Sequence, residues 1–306
     1  MKRVQIRQIF AVLIGMLTLG ACIDRPMKNA SPVPVVIPTF SIPLATQRDV
    51  DVLFVIDDSG SMSAEQERLR SQFDSLMGVL KGISGGLPNI HVAIVSTDMG
   101  TTPFDVPTCD AQGGRNGRFL KGALNTCMNP TGQNYIVDVE PAGCNIERGS
   151  DGMCLSHDCL PANCTVSAFT VDGIQTEPDG LALHEDDQGC PRCRNYDNES
   201  LEQVFSCMAD LDVNGCGMEQ HFAAMEKGLT SGPHHPVEDQ GFLRENAFLS
   251  VVFISDEDEC SAPEDMRTIF ELNDSIDSTI GPFNFRCVEF STQCDEPWKR
   301  LVPDGR

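Results

Sequence analysis

The stretch Val52-Leu53-Phe54-Val55-Ile56-Asp57-Asp58-Ser59-Gly60-Ser61-Met62-Ser63 runs from an unbroken apolar segment into a polar turn. Apolar residues without alternation are what a strand buried on both faces of a parallel sheet requires. Two later stretches repeat the design. Ile90 to Val95 ends in Ser96-Thr97-Asp98, and Phe248 to Ile254 ends in Ser255-Asp256. In open α/β sheets ligands collect outside the carboxyl ends of the strands, so the three polar endings are expected to converge on one site.

Helical periods lie between these strands. Leu69, Phe73, Leu76, Met77, Leu80 and Ile83 share one face of a helix starting near Ser63, with Ser63 and Gln66 spaced as a capping box. Leu201, Val204, Phe205, Met208 and Leu211 mark a second helix, and Met218, Phe222, Met225 and Leu229 a third. The order strand, helix, strand, two helices, strand predicts an α/β fold: a doubly wound, mostly parallel sheet flanked by helices. One further helix is expected over Ala262 to Leu272, and no buried strand is expected from Gly281 to Arg306. A complete domain of this kind adds another strand and a closing helix, so the C-terminus reads as truncated or degenerate.

Residues 99 to 196 interrupt the pattern with eight cysteines (Cys109, Cys127, Cys144, Cys154, Cys159, Cys164, Cys190 and Cys193) and few apolar runs. Such a stretch does not close a core of its own, so it reads as a disulfide-stapled insertion on the sheet's edge or upper rim.

At the N-terminus a basic start precedes the apolar run Ile9 to Leu19, which ends in Leu19-Gly20-Ala21-Cys22. This resembles a bacterial lipoprotein signal peptide over residues 1–21, with Cys22 as the acylated first residue of the mature chain. The run falls short of the roughly 20 residues that span a bilayer, so acyl burial rather than a spanning helix is the expected anchor. Ile23 after the Cys leans towards the outer membrane of the cell envelope. Residues 22–47, rich in Pro, read as a tether, and residues 48–306 as the folded domain with its insertion. Export puts the other 13 of the 14 cysteines where disulfides persist, leaving one thiol free or a partner missing.

The formal charge is −23, and removal of Lys2, Arg3 and Arg7 with the leader takes it to −26. That field repels nucleic acid and anionic headgroups and favours cations.

Asp57-Asp58-Ser59-Gly60-Ser61 between a buried strand and a helix is an Asp-x-Ser-x-Ser sequence. Alternate positions on a tight turn aim one carboxylate and two hydroxyls at a single point, which suits a hard divalent ion, and Gly60 permits close backbone approach. With Ser255-Asp256 at a later strand end, the chain resembles the von Willebrand factor A family and its metal-ion-dependent adhesion site, over roughly residues 48–98 and 197–275. The resemblance implies Asp57, Ser59 and Ser61 as ligands, with Asp256 reaching the ion directly or through water. Where the family has a Thr, aligning Ala224-Met225 with its helix face puts Glu219, either as a third carboxylate ligand or as a first-turn Glu favoured by the helix dipole. Magnesium, calcium and manganese are all compatible with these oxygens. Asp256-Glu257-Asp258-Glu259 reads as a solvated acidic loop, with auxiliary calcium binding as the alternative.

Disulfides are expected for the spacings Cys154-x4-Cys159-x4-Cys164 and Cys190-x2-Cys193 rather than zinc with His157 and His184. Cys207 and Cys216 bracket the turn before Glu219 and are candidates to staple it, as are Cys287 and Cys294 locally. His234-His235 reads as a surface loop, and Arg115, Arg118 and Lys121 as a basic island. No nucleophile elbow, zinc-protease helix or phosphate loop is present, so no enzyme is expected. The expected function is metal-dependent binding or adhesion to a protein or glycan at the cell surface. The alternative is a structural envelope protein whose metal only stabilises the fold.

Overall fold

In the computed structural model the described residues are 48–83, 86–109, 113–149, 152–164, 169–171, 174–176, 181–230, 232–272 and 283–290. The leader, Cys22, the tether and Cys294 lie outside them.

β1 (Asp49–Ile56) leads into α1 (Ser63–Lys81), β2 (Asn89–Ser96) and β3 (Ile136–Val139). Two small hairpins follow, β4 (Ile146–Arg148) with β5 (Cys154–His157) and β6 (Phe169–Val171) with β7 (Ile174–Thr176). Then come β8 (Ala182–Glu185), β9 (Pro191–Arg194), α2 (Leu201–Met208), α3 (His221–Leu229), β10 (Phe248–Ile254) and the short α4 (Arg286–Phe290). The chain is an α/β protein around one six-stranded sheet of order β10-β1-β2-β3-β9-β8. Among the described residues no helix is long and apolar enough to cross a membrane.

The three apolar runs form the parallel part, β10-β1-β2. The rest is antiparallel, β2 to β3, β3 to β9 and β9 to β8, so the sheet is mixed and the expectation of a mostly parallel one is corrected. The reason lies in residues 99 to 196, which do not merely decorate an edge but supply three of the sheet's strands. Their core contribution hid behind a charge: in Ile136-Val137-Asp138-Val139 every residue is buried. Asp138 accepts from Arg192 Nε at 2.6 Å, Arg194 Nε at 2.9 Å and the Tyr196 hydroxyl at 2.6 Å. A buried carboxylate is tolerable only when paired and hydrogen-bonded, and these partners lie more than 50 residues away in the chain.

Alternation along the strands splits the core into two layers. Val52, Phe54 and Ile56 face α1 and α2, where Phe73 stacks on Phe205 with ring centroids 3.6 Å apart. Leu53, Val55, Ala93 and Val95 face α3 and Phe242. Gly228 of α3 lets that helix approach, since a Cβ there meets Val95 at 3.1 Å.

Several local expectations change. α1 starts after Met62 without a side-chain cap, and Gln66 is no capping residue. Gln66 is buried and bridges loops, donating to the carbonyls of Asp57 at 3.0 Å and Asp212 at 2.9 Å and accepting from Leu211 N at 3.3 Å. Residues Glu264–Phe270 form a 3-10 helix rather than an α-helix. Cys216 pairs with Cys109 and Cys207 with Cys127, so each disulfide ties the insertion to the helical segment instead of stapling one turn. Cys287 pairs with Cys260. Cys154–Cys190, Cys164–Cys193 and Cys144–Cys159 complete six bridges among the described residues, which removes the thiolates that zinc requires there.

Candidate metal centre

Parallel pairing brings the ends of β1 and β10 side by side, with Ile56 opposite Ile254 and Asp57 N donating to Ile254 O at 2.9 Å. The loops after both strands therefore leave from the same edge. Asp57 is buried; its Oδ1 accepts from Ser59 N at 2.8 Å and its Oδ2 from Ser255 Oγ at 2.7 Å. Ser59 Oγ lies 3.2 Å from Ser61 Oγ, which donates to Asp256 Oδ1 at 3.0 Å. Asp57, Ser59, Ser61 and Asp256 are thus joined in one hydrogen-bonded chain, through the amide of Ser59 and the hydroxyls of Ser59 and Ser61, from the buried strand end to the exposed rim.

Glu219 reaches the same end of the sheet from the segment before α3. Its carbonyl accepts from Cys260 N at 2.7 Å, and the adjacent Gln220 N donates to Thr97 O at 3.2 Å. The side chain is buried; Oε2 accepts from Thr97 Oγ1, while Oε1 has no hydrogen-bond partner. Burial, with the charges of Asp57, Asp58 and Asp98 added, pushes the Glu219 carboxyl up to about 9 against the lowering effect of the Thr97 hydroxyl. Without a cation the group holds its proton at neutral pH. Glu219 is therefore no solvent-facing first-turn residue of α3, which begins two positions later.

Asp58 is the neighbouring buried acid. It accepts from Ser96 Oγ at 2.5 Å, and Arg115 Nε lies 3.6 Å from Oδ2. Burial raises its pKa to about 6; the Ser96 bond and Arg115 oppose the shift, while Asp98 and Asp57 reinforce it. Arg115 thus serves as an internal counterion.

Two glycines exchange roles relative to expectation. A Cβ on Gly60 meets nothing within 4 Å, so close approach does not require glycine there. On Gly215 a Cβ lies 2.2 Å from Asp58 Oδ1, and Gly215 N donates to Asp58 O at 2.7 Å. Thr97, read as part of a converging strand end, was not read as the partner of Glu219, and Gly215 is a site residue that sequence reading missed; the distant partners of both were not visible.

The acidic run after β10 divides. Asp256, Glu257 and Asp258 are exposed, as expected of a solvated loop. Glu259 instead caps α3, accepting from Phe222 N at 3.2 Å and contacting His221 Nδ1 at 3.0 Å. His235 is buried against Asp239 at 2.8 Å, correcting its reading as surface.

Among the described residues one group of three His, Cys, Asp or Glu donors lies within 4.8 Å of one another, Cys144, Asp158 and Cys159. Its two cysteines are bonded to each other, so it offers no thiolate. Asp57, Glu219 and Asp256 do not close to that spacing; at the strand ends hydroxyls stand between the carboxylates. No protein-family model matches the chain. No curated protein and no solved structure matches it either.

Proposed function

We propose that this chain is a metal-dependent binding module of the von Willebrand factor A class, held at the bacterial cell envelope by lipid on Cys22. The observation that carries the reading is the hydrogen-bonded chain Asp57, Ser59, Ser61 and Asp256, with Ser255 donating onto Asp57. Helices on both faces of the parallel strands support the doubly wound architecture it needs. Carboxylate and hydroxyl oxygens suit a hard divalent cation, magnesium, calcium or manganese. Asp57, Ser59 and Ser61 would hold the ion, with Asp256 direct or through water. The unpartnered buried oxygen of Glu219 is the donor most in need of a cation. An ion on this rim would present an open position to an oxygen-bearing group of a protein or glycan.

The burial of Glu219 favours a second reading, in which its carboxylate closes the coordination shell and the metal only stabilises the loops. Calorimetric titration of the full chain with the three ions separates the possibilities. Uptake lost in Asp57→Ala supports a metal centre, and chelator-sensitive binding to surface glycans or matrix proteins then supports the first reading. Uptake that raises the melting temperature while only Glu219→Thr gains partner binding supports the second. A folded protein that takes up none of the three ions overturns both.

A further inference from the structure

Beside the metal centre a groove of about 550 Å³ opens between α3, the loop following β2 and the segment following β10. We propose that this groove binds a hydroxylated carboxylate, the chemistry shared by free sugar acids and by uronic acid residues of a polysaccharide. No residue assigned to the metal lines it, so the inference stands apart from the reading above.

The volume lies within the roughly 300–1,000 Å³ of small-molecule sites. Gln220 supplies the specific demand. It is 1 % exposed, and its Nε2 donates to Gly100 O at 2.7 Å, which fixes the amide's orientation. Its Oε1 is then a buried acceptor without a partner, in a residue that lines the groove. An unpaired buried acceptor is unfavourable by about 1–3 kcal/mol, and a ligand hydroxyl removes that deficit.

Charge sets the second requirement. Lys227 and Arg267 against Glu226 leave the wall one positive charge in a chain of −23. Arg267 is held by its bonds to Thr102 O at 2.6 Å and Gly100 O at 3.1 Å, so its guanidinium is already fixed for an anion. Sulfate answers the cations but presents only acceptors to Gln220. A carboxylate carrying hydroxyls answers both, and Met99, Ala223 and Ala262 offer its carbon face an apolar surface.

The test is calorimetry on the full chain in chelator with D-galacturonate, its trimer, glucose, maltotriose and sulfate. Saturable uptake of galacturonate is expected, weakened about tenfold for the neutral sugars and in Lys227→Gln, where one charge-assisted bond is lost. Gln retains the aliphatic carbons that pack on Gly117, so this variant folds. Tighter binding of the trimer identifies polysaccharide as the source, and equal binding identifies the free acid. Absence of saturable uptake, equal binding of glucose, indifference to Lys227→Gln, or dependence on added divalent ion overturns the proposal. The metal titration above fails or succeeds independently.

Discussion

Ser255 Oγ donates to Asp57 Oδ2 at 2.7 Å, joining the loops that leave two adjacent parallel strands. With Ser59 N on Oδ1, both oxygens of Asp57 are aimed by the protein rather than by solvent. Groups that orient a metal ligand contribute about ten- to a hundredfold in affinity when removed. Ser255→Ala is expected to weaken divalent-ion uptake about tenfold while leaving the fold intact, and Asp57→Ala to abolish uptake. Calorimetry paired with circular dichroism checks both; equal affinity in Ser255→Ala removes its positioning role.

Gln66 joins the Asp57 turn to the loop before α3 through its whole amide. Replacing it by Leu leaves the carbonyls of Asp57 and Asp212 and the amide of Leu211 short of partners in a buried place. The expected loss is about 2–3 kcal/mol of unfolding free energy. Urea denaturation measures it, and a change below about 0.5 kcal/mol contradicts the bridging role.

How far the sequence disclosed all this depends on the range of the interactions. The run around Val251 forms its expected strand, but at the sheet's edge with Phe248, Leu249 and Phe253 exposed, which corrects the expectation of burial on both faces there. The runs around Leu53 and Ala93 announced their strands because burial on both faces leaves an unbroken apolar signature in adjacent residues. The Asp57 to Ser61 turn was legible for the same reason, its donors lying within one turn. Strand β3 was not, because Asp138 breaks its apolar pattern and its compensation comes from Arg192 and Arg194 in a distant strand. Gln66 deceived in the other direction, matching a local capping pattern while serving contacts 145 or more residues away. Thr97 was seen only as a polar strand end, since nothing local reveals that Glu219 lies opposite it.

Asp138 also fixes a pH dependence. Burial alone raises its pKa, but Arg192, Arg194 and Tyr196 outweigh burial and hold it below the usual 3.8. A group depressed in the folded state contributes stability that is present above its unfolded pKa and lost as pH falls through the folded one. Asp138→Asn is therefore expected to be less stable than the parent by about 3 kcal/mol at pH 7, the scale of breaking one buried ion pair. The gap narrows only as the pH drops below about 4. Parallel denaturation curves from pH 7 to pH 2.5 test the direction, and a gap that widens in acid contradicts it.

Among the described residues Cys109–Cys216 closes the longest loop, with a sequence separation of 107 residues. It ties the insertion to the segment that presents Gly215 to Asp58 and Glu219 to Thr97. Chain-entropy arguments put a loop of this length at about 4–5 kcal/mol, against about 3 for the 15-residue loop of Cys144–Cys159. The double variant Cys109→Ser with Cys216→Ser is thus expected to lose more stability than Cys144→Ser with Cys159→Ser. It is also expected to weaken ion uptake, whereas the second pair, in the β4–β5 region, leaves uptake unchanged. Melting curves and metal titrations on both double variants decide the matter. Equal effects on uptake mean that the bridge stabilises the fold generally without positioning the strand-end site.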